Sequence, residues 1–333
     1  MSQYDPILTV ENLEVAYRTG SRRPPFRALN GVSFSIRPGE TLGLVGESGS
    51  GKSTIAKALL HLAPITGGSI RWKDREITHI TASDRRKLSA EIQVVFQDPY
   101  SSFNPSRTIE NSLVEMLIPQ PHFERSIAVQ RASELLDLVG MPHSALGKLP
   151  GEFSGGQRQR IAIARALMVR PSLLICDEAV SALDLSVQAQ VINLLRDVQN
   201  EMGLAMLFIS HDLTVIDHIS DRIMVLYRGK LMESGNADDV YNRSAHPYTN
   251  LLLDAVPIPD PELSRERRSR KKAGVVNSRS DRFCSFAPRC PFADQTCEER
   301  APEATYLTPG HLSMCHHTER VIHQSSATPA PHH

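Results

Sequence analysis

Apolar and polar residues nearly alternate over the first forty positions. The alternation is imperfect across Ile7–Tyr17 and Leu29–Ile36, with Val32, Phe34 and Ile36 on one face, as in half-buried β-strands. Thr41–Val45 is short, mostly apolar and followed at once by glycines, which predicts a buried strand feeding a tight turn. Runs at Ile70–Trp72, Ile92–Phe96, Leu173–Cys176, Leu204–Ile209 and Ile223–Tyr227 predict further strands. Between Phe96 and Leu173 the period lengthens. Ile127, Ala132, Leu135, Leu136 and Val139 recur at helical spacing and Gln157–Met168 also reads as a helix, so this stretch is a helical insertion between strands. Val187, Val191, Leu194, Leu195 and Val198 mark an amphipathic helix over Val187–Met202. Strands alternating with helices predict an α/β fold whose mostly parallel sheet is covered on both faces.

Composition narrows the function classes. A chain of 333 residues is long enough for about two domains and buries about three quarters of its unfolded surface. Its 37 Lys and Arg balance 37 Asp and Glu, which argues against a nucleic-acid partner held by a broad basic face. No run of eighteen apolar residues exists to span a bilayer. The start, Met1–Val10, has neither the basic nor the apolar stretch of a signal peptide, so a cytoplasmic location is expected. The character shifts past about residue 240. Six basic residues against Glu266 in Arg265–Lys272 form a solvated linker or, on a sharper reading, a contact for anionic lipid headgroups. Ser325–His333 is polar and Pro-rich, as disordered tails are.

The chemistry starts at Gly46. Gly46-Glu-Ser-Gly-Ser-Gly51-Lys52-Ser53 fits G-x-x-x-x-G-K-[ST], with a predicted strand before it and an apolar-periodic helix after it. Its glycines let backbone N–H groups turn toward a phosphate, and the helix N-terminus adds its positive end. Lys52 is placed to reach the β- and γ-phosphates and the Ser53 hydroxyl to ligate Mg²⁺. Leu173–Glu178 is an apolar strand ending in two acids, an expensive arrangement unless a cation or phosphate chemistry occupies the site. Asp177 suits Mg²⁺ and its waters, and Glu178 suits deprotonation of an attacking water. Phe153-Ser154-Gly155-Gly156-Gln157 opens the Gln157–Met168 helix with small residues that leave N–H groups and the Ser154 hydroxyl available to an anion.

In this order these motifs resemble the ATP-binding subunit of an ABC transporter over about residues 5–240. Gln97 after Phe96, Ser181-Ala-Leu-Asp184 and His211 complete the set. The resemblance implies a P-loop NTPase of ABC type: a mostly parallel core sheet, an antiparallel β subdomain, and a helical subdomain at about 98–170. It implies that ATP and Mg²⁺ bind at the interface of two head-to-tail ATPase domains. Gly46, Ser48, Gly49, Gly51, Lys52, Ser53 and Thr54 would hold the phosphates, and Tyr17 would stack on adenine. Gln97 would contact Mg²⁺ and the attacking water. His211 would contact the γ-phosphate, Asp184 would touch the opposing subunit, and Ser154, Gly155, Gly156 and Gln157 would serve the partner's nucleotide. Ala179, commonly proline in the family, and Phe153, commonly leucine, depart from its pattern without removing a chemical group.

Gln97–Pro105 and His246-Pro-Tyr-Thr249 are similar to the peptide/nickel import branch. That resemblance implies a heterodimer with a second ATPase subunit on the cytoplasmic face of the inner membrane, beneath two permease subunits fed by an external solute-binding protein. The cargo would be di- or oligopeptides or related small solutes such as metal chelates. A soluble ABC-type ATPase of translation or DNA repair is the alternative, and the single cassette without sustained heptads favours transport. The extension at 241–324 carries Cys284, Cys290, Cys297 and Cys315, four of the five cysteines, with spacings that lack the C-x2-C bites of zinc ribbons. They suit a [4Fe–4S] cluster, similar to the cysteine group of several peptide-branch ATPases, with Zn²⁺ or unligated thiols as alternatives. Cys176 lies inside an apolar strand and is expected in the core.

Overall fold

The computed structural model describes residues 5–18, 20, 24–98, 102–255 and 282–325. The basic run at 265–272, residues 99–101 of the Pro-containing segment and the tail from 326 lie outside these residues.

Two sheets carry the fold. The smaller pairs β1 (Leu8–Tyr17), β2 (Phe26–Ile36), β4 (Ile65–Trp72) and β5 (Arg75–Glu76) in the order β2-β1-β4-β5, all antiparallel. The larger contains β3 (Thr41–Val45), β6 (Ile92–Val95), β7 (Leu173–Asp177), β8 (Ala205–Ser210) and β9 (Arg222–Tyr227), mutually parallel in the order β9-β3-β8-β7-β6. Side chains in a strand alternate between faces, and here the alternation divides two cores. Leu173 and Ile175 of β7, with Ala205, Leu207 and Ile209 of β8, pack toward the antiparallel sheet. Leu174, Cys176, Met206 and Phe208 pack toward the helices. Cys176 is fully buried there, and burial pushes its thiol up to about 12.

The helical insertion contains α3 (Ile109–Val114), α4 (Arg125–Leu138) and α5 (Gly155–Leu167). α4 buries Ala128, Ala132, Leu135 and Leu136, whereas Ile127 is 60% exposed, one position off the face assigned to it by spacing. Two strand boundaries also differ from the sequence pattern. β4 begins at Ile65 and runs through Gly67 and Gly68, where the register with β1 shifts. A Cβ on Gly68 would lie 2.3 Å from the Asn12 carbonyl oxygen, so this glycine pair is a close backbone approach inside a strand and not the turn it resembles. The other difference is β10 (Lys230–Asn236), hidden in the sequence by its polar residues Glu233 and Ser234, both buried.

β10 joins the C-terminal segment to the core sheet. It pairs with β9 on one side and with β12 (His311–Ser313) on the other, and β11 (Thr305–Thr308) follows at the edge. The Glu233 carboxylate is fully buried and meets three donors: the N–H groups of Ala245 (2.7 Å) and His246 (3.1 Å), and His311 Nε2 at 2.8 Å. Ser313 Oγ donates to the Ala245 carbonyl at 2.9 Å. His246, pushed down to about 3 by burial, is neutral, and its Nδ1 accepts the Tyr248 N–H. Phe286 and Cys290 belong to the same core as the helices. A buried carboxylate with three donors leaves three orphans when removed. Glu233→Ala is therefore expected to destabilise the chain by about 3 kcal/mol, measured as a shift of the denaturant midpoint, with early proteolytic loss of the segment after residue 282.

Candidate active site

The loop between β3 and α1 (Lys52–Leu59) folds because three of its residues are glycines in conformations that side chains resist. Gly46 has φ 158° and lies so close to β9 that a Cβ would stand 2.2 Å from the Leu226 carbonyl oxygen. Gly51, φ 109°, is the N-cap of α1. The first turn of α1 has N–H groups without intrahelical partners and the positive end of the helix dipole, an anion site by construction.

Lys52 is buried with its ammonium on the loop's own carbonyls, donating to Gly46 O at 2.7 Å and Glu47 O at 3.1 Å. Burial lowers its pKa, and the carboxylates of Glu178 and Asp177 pull the other way. Ser53 Oγ donates to Asp177 Oδ1 at 2.9 Å, so the two oxygens expected to ligate Mg²⁺ are already neighbours. Burial raises the Asp177 pKa, opposed by the Ser53 hydrogen bond. A half-buried hydroxyl and a carboxylate that is costly to ionise form a hard oxygen pair suited to a divalent cation.

Glu178 follows β7 with φ 51°, a left-handed conformation that costs about 1–2 kcal/mol for a side-chain residue. The conformation is pinned on both sides. Glu178 N donates to Ile209 O at 3.0 Å, and Glu178 O accepts from Ser181 N (3.1 Å) and Ser181 Oγ (3.0 Å). Its Oε2 stands 3.8 Å from His211 Nδ1, just past the end of β8. Thus Lys52, Ser53, Asp177, Glu178 and His211 converge. Gln97 is exposed just beyond β6, and Tyr17 is half-buried at the end of β1 against the smaller core.

Residues 153–157 belong to another part of the fold, the start of α5. Ser154 caps α5 in a reciprocal box, accepting the Gln157 N–H at 3.3 Å and donating its own N–H to Gln157 Oε1 at 3.0 Å. A Cβ on Gly156 would meet Val187 Cγ1 at 2.3 Å, so glycine is what lets α5 approach α6 (Leu185–Met202). Asp184 caps α6 through the Val187 N–H. Among the described residues no hydrogen bond or ion pair joins residues 154–157 to the phosphate loop of the same chain.

Sequence reasoning missed Glu47, an unspecified position of the loop motif. Its carboxylate receives a two-pronged contact from Arg289, Nη1 to Oε2 and Nη2 to Oε1, both 2.8 Å, which holds its pKa below the usual range. It also missed Asp294 and His317. Their side chains and Cys297 form a trio whose ligand atoms all lie within 4.8 Å of one another. The four C-terminal cysteines come together: Cys315 feels the charges of Cys290, Cys284 and Cys297, and Cys290 those of Cys284 and Cys297. Burial is the larger influence and pushes the Cys290 and Cys315 thiols up to about 12.

Comparison with known proteins gives the family. Residues 29–181 match the family model "ABC transporter", and residues 232–297 match "Oligopeptide/dipeptide transporter, C-terminal region". A putative peptide import ATP-binding protein of Brucella ovis is 43% identical over 310 residues, 93% of this chain and 97% of that protein. The chain belongs to the ABC transporter ATP-binding family. Another member, the oligopeptide transport ATP-binding protein OppF of Haemophilus influenzae, is 42% identical over 93% of this chain and 96% of its own length. Among solved ABC structures, cbiO1 of Clostridium perfringens, part of the transporter complex cbiONQ, superposes with a TM-score of 0.64 at 26% identity, covering 72% of this chain and 91% of that one. The ATP-binding cassette MJ0796, solved as a dimer after hydrolysis with ADP and Pi, gives 0.62 at 25% identity, covering 69% and 98%. ABC membership implies ATP, with Mg²⁺, as the cofactors of this chain. Among the described residues no helix is long and apolar enough to cross a membrane.

Because the folded-state pKa of Asp177 is raised, its ionised form opposes folding at every pH above the ordinary aspartate range. Asp177→Asn should therefore raise the melting temperature at neutral pH in chelator, lose that advantage in acid where both forms are uncharged, and abolish stabilisation by Mg²⁺ with ATP.

Proposed function

We propose that this chain hydrolyses ATP to drive import of di- or oligopeptides or related small solutes, metal chelates included, through two membrane permease subunits. The observation that carries the catalytic reading is the convergence of Lys52, Ser53, Asp177 and Glu178 at the end of the parallel strands. The solute class rests on the matching C-terminal region and on relatives named for peptide import. The chain sits on the cytoplasmic face of the inner membrane as one half of a head-to-tail ATPase pair, its partner a related but different subunit. An external solute-binding protein delivers the cargo.

In this reading the N–H groups of the loop and the first turn of α1, from Gly46 through Thr54, grip the β- and γ-phosphates, and Tyr17 supports the adenine. Lys52 exchanges a loop carbonyl for a phosphoryl oxygen, a short move for an ammonium already inside the loop. Ser53, Asp177 and Gln97 would hold Mg²⁺, which when bound would supply positive charge against the charge developing on the transferred group. Glu178 takes a proton from the attacking water, its carboxylate aimed by the pinned backbone, and His211 contacts the γ-phosphoryl. Ser154, Gly155, Gly156 and Gln157, which among the described residues make no hydrogen bond to their own loop, serve the partner's nucleotide, with Asp184 at the junction. The γ-phosphate then bridges two subunits, and its loss separates them. Glu178→Gln keeps size and hydrogen-bonding capacity but removes the base. Turnover in the assembled transporter should fall by about 10²–10⁴-fold while ATP holds the ATPase pair closed on gel filtration; wild-type turnover would remove Glu178 from the mechanism.

The four C-terminal thiols hold a [4Fe–4S] cluster in the same proposal. Burial penalises the free thiolates of Cys290, Cys297 and Cys315, a penalty that a bound cation reverses. Cysteine spacings that lack the C-x2-C bites of zinc ribbons favour a polynuclear cluster over Zn²⁺. Anaerobically purified protein should be brown and contain iron, and Cys290→Ser should lose both; a colourless zinc-loaded preparation would reverse the assignment.

A further inference from the structure

Every functional group of Glu47 is engaged, and two of the three reach the C-terminal segment. Its carbonyl accepts from Lys52 Nζ and from Ser50 N, both at 3.1 Å. Its N–H donates to Tyr248 Oη at 2.8 Å, and its carboxylate takes the two prongs of Arg289. Glu47 is therefore the residue on which the loop lysine and the C-terminal segment both bear, 201 and 242 positions away in sequence from Tyr248 and Arg289.

The two outer contacts come from a built surface. Tyr248, fully buried near the start of α9 (Pro247–Ala255), packs at a tilt against Tyr227 with ring centroids 4.7 Å apart and against Phe286 at 5.4 Å. Arg289 ends a single 3-10 turn, Ala287–Arg289, and lies 5.7 Å over the rings of Tyr227 and Phe286. That turn begins after Cys284 and is followed at once by Cys290. An arginine fork on aromatic faces has few conformations to lose, so it fixes the carboxylate it grips.

We propose that Arg289 and Tyr248 are positioning residues for the nucleotide site: they anchor Glu47 so that the phosphate loop stays open to phosphate and the Glu47 carbonyl stays where Lys52 can leave it. The inference rests on the phosphate loop as the ATP site, and it makes ATP affinity depend on the packing of the segment between two candidate cluster cysteines. By linkage, ATP tightens that segment by the same factor.

The test uses the full-length chain in its membrane complex, with a fluorescent ATP analogue for affinity, steady-state turnover for KM against kcat, and thermal unfolding alongside. Arg289→Ala and Tyr248→Phe should each raise the dissociation constant and KM about tenfold, within the range of allosteric couplings, with kcat within twofold. Arg289→Lys should recover part of the loss. Glu47→Gln should add little on top of Arg289→Ala, because both remove the same contact. Unchanged affinity with a lowered unfolding temperature would reduce these residues to scaffolding and overturn the proposal, and so would fully additive losses in the Glu47–Arg289 pair. Failure of the unaltered protein to bind the analogue would instead overturn the ATP reading itself.

Discussion

A lysine buried beneath a glycine loop, facing two carboxylates at the end of a strand two places along the sheet, is the constraint on which this molecule is built. Burial weakens the ammonium's hold on its proton, and Asp177 and Glu178 oppose that effect from β7. Neither carboxylate is comfortable there: Asp177 resists ionisation and Glu178 carries a left-handed backbone. Such strain persists only where the surroundings over-determine it. The surroundings are the parallel strands β3, β7 and β8, whose side chains are sunk alternately in two cores, so their carboxyl ends have almost no freedom to relax.

Much of this was legible because it is periodic or local. β3 matched its expected span and the central strands were off by a residue or so, since buried strands are short apolar runs with glycine or charge at their ends. The loop, the acidic strand end and the α5 capping box are contiguous in sequence, and contiguity is what sequence reading handles well. What it missed is long-range or disguised. Gly67 and Gly68 imitate a turn inside β4. Glu233, the most polar residue of β10, is fully buried because its partners arrive from residues 245, 246 and 311. Glu47 occupies a variable position of its motif, and its importance comes from Arg289, far away in the chain. Ile127 shows the opposite failure, an apolar residue in the right period on the wrong face.

The C-terminal segment is bound to the ATPase core more intimately than its composition suggests. Its strands extend the core sheet through β10, and its aromatic residues share the core that supports the helices. The cysteine group is therefore no appendage on a tether. Whatever occupies it is mechanically continuous with the sheet that presents the phosphate loop.

The larger sheet ends at β6 on the side opposite those added strands. Four residues long and, among the described residues, bonded only to β7, β6 has half the ladder of an interior strand. Gln97 hangs from this least-anchored rim, whereas Asp177 and Ser210 end strands held on both sides. A tug on the chain just after Phe96 can thus shift the glutamine while the acidic centre stays still, so the sheet contains a compliant lip beside a stiff one.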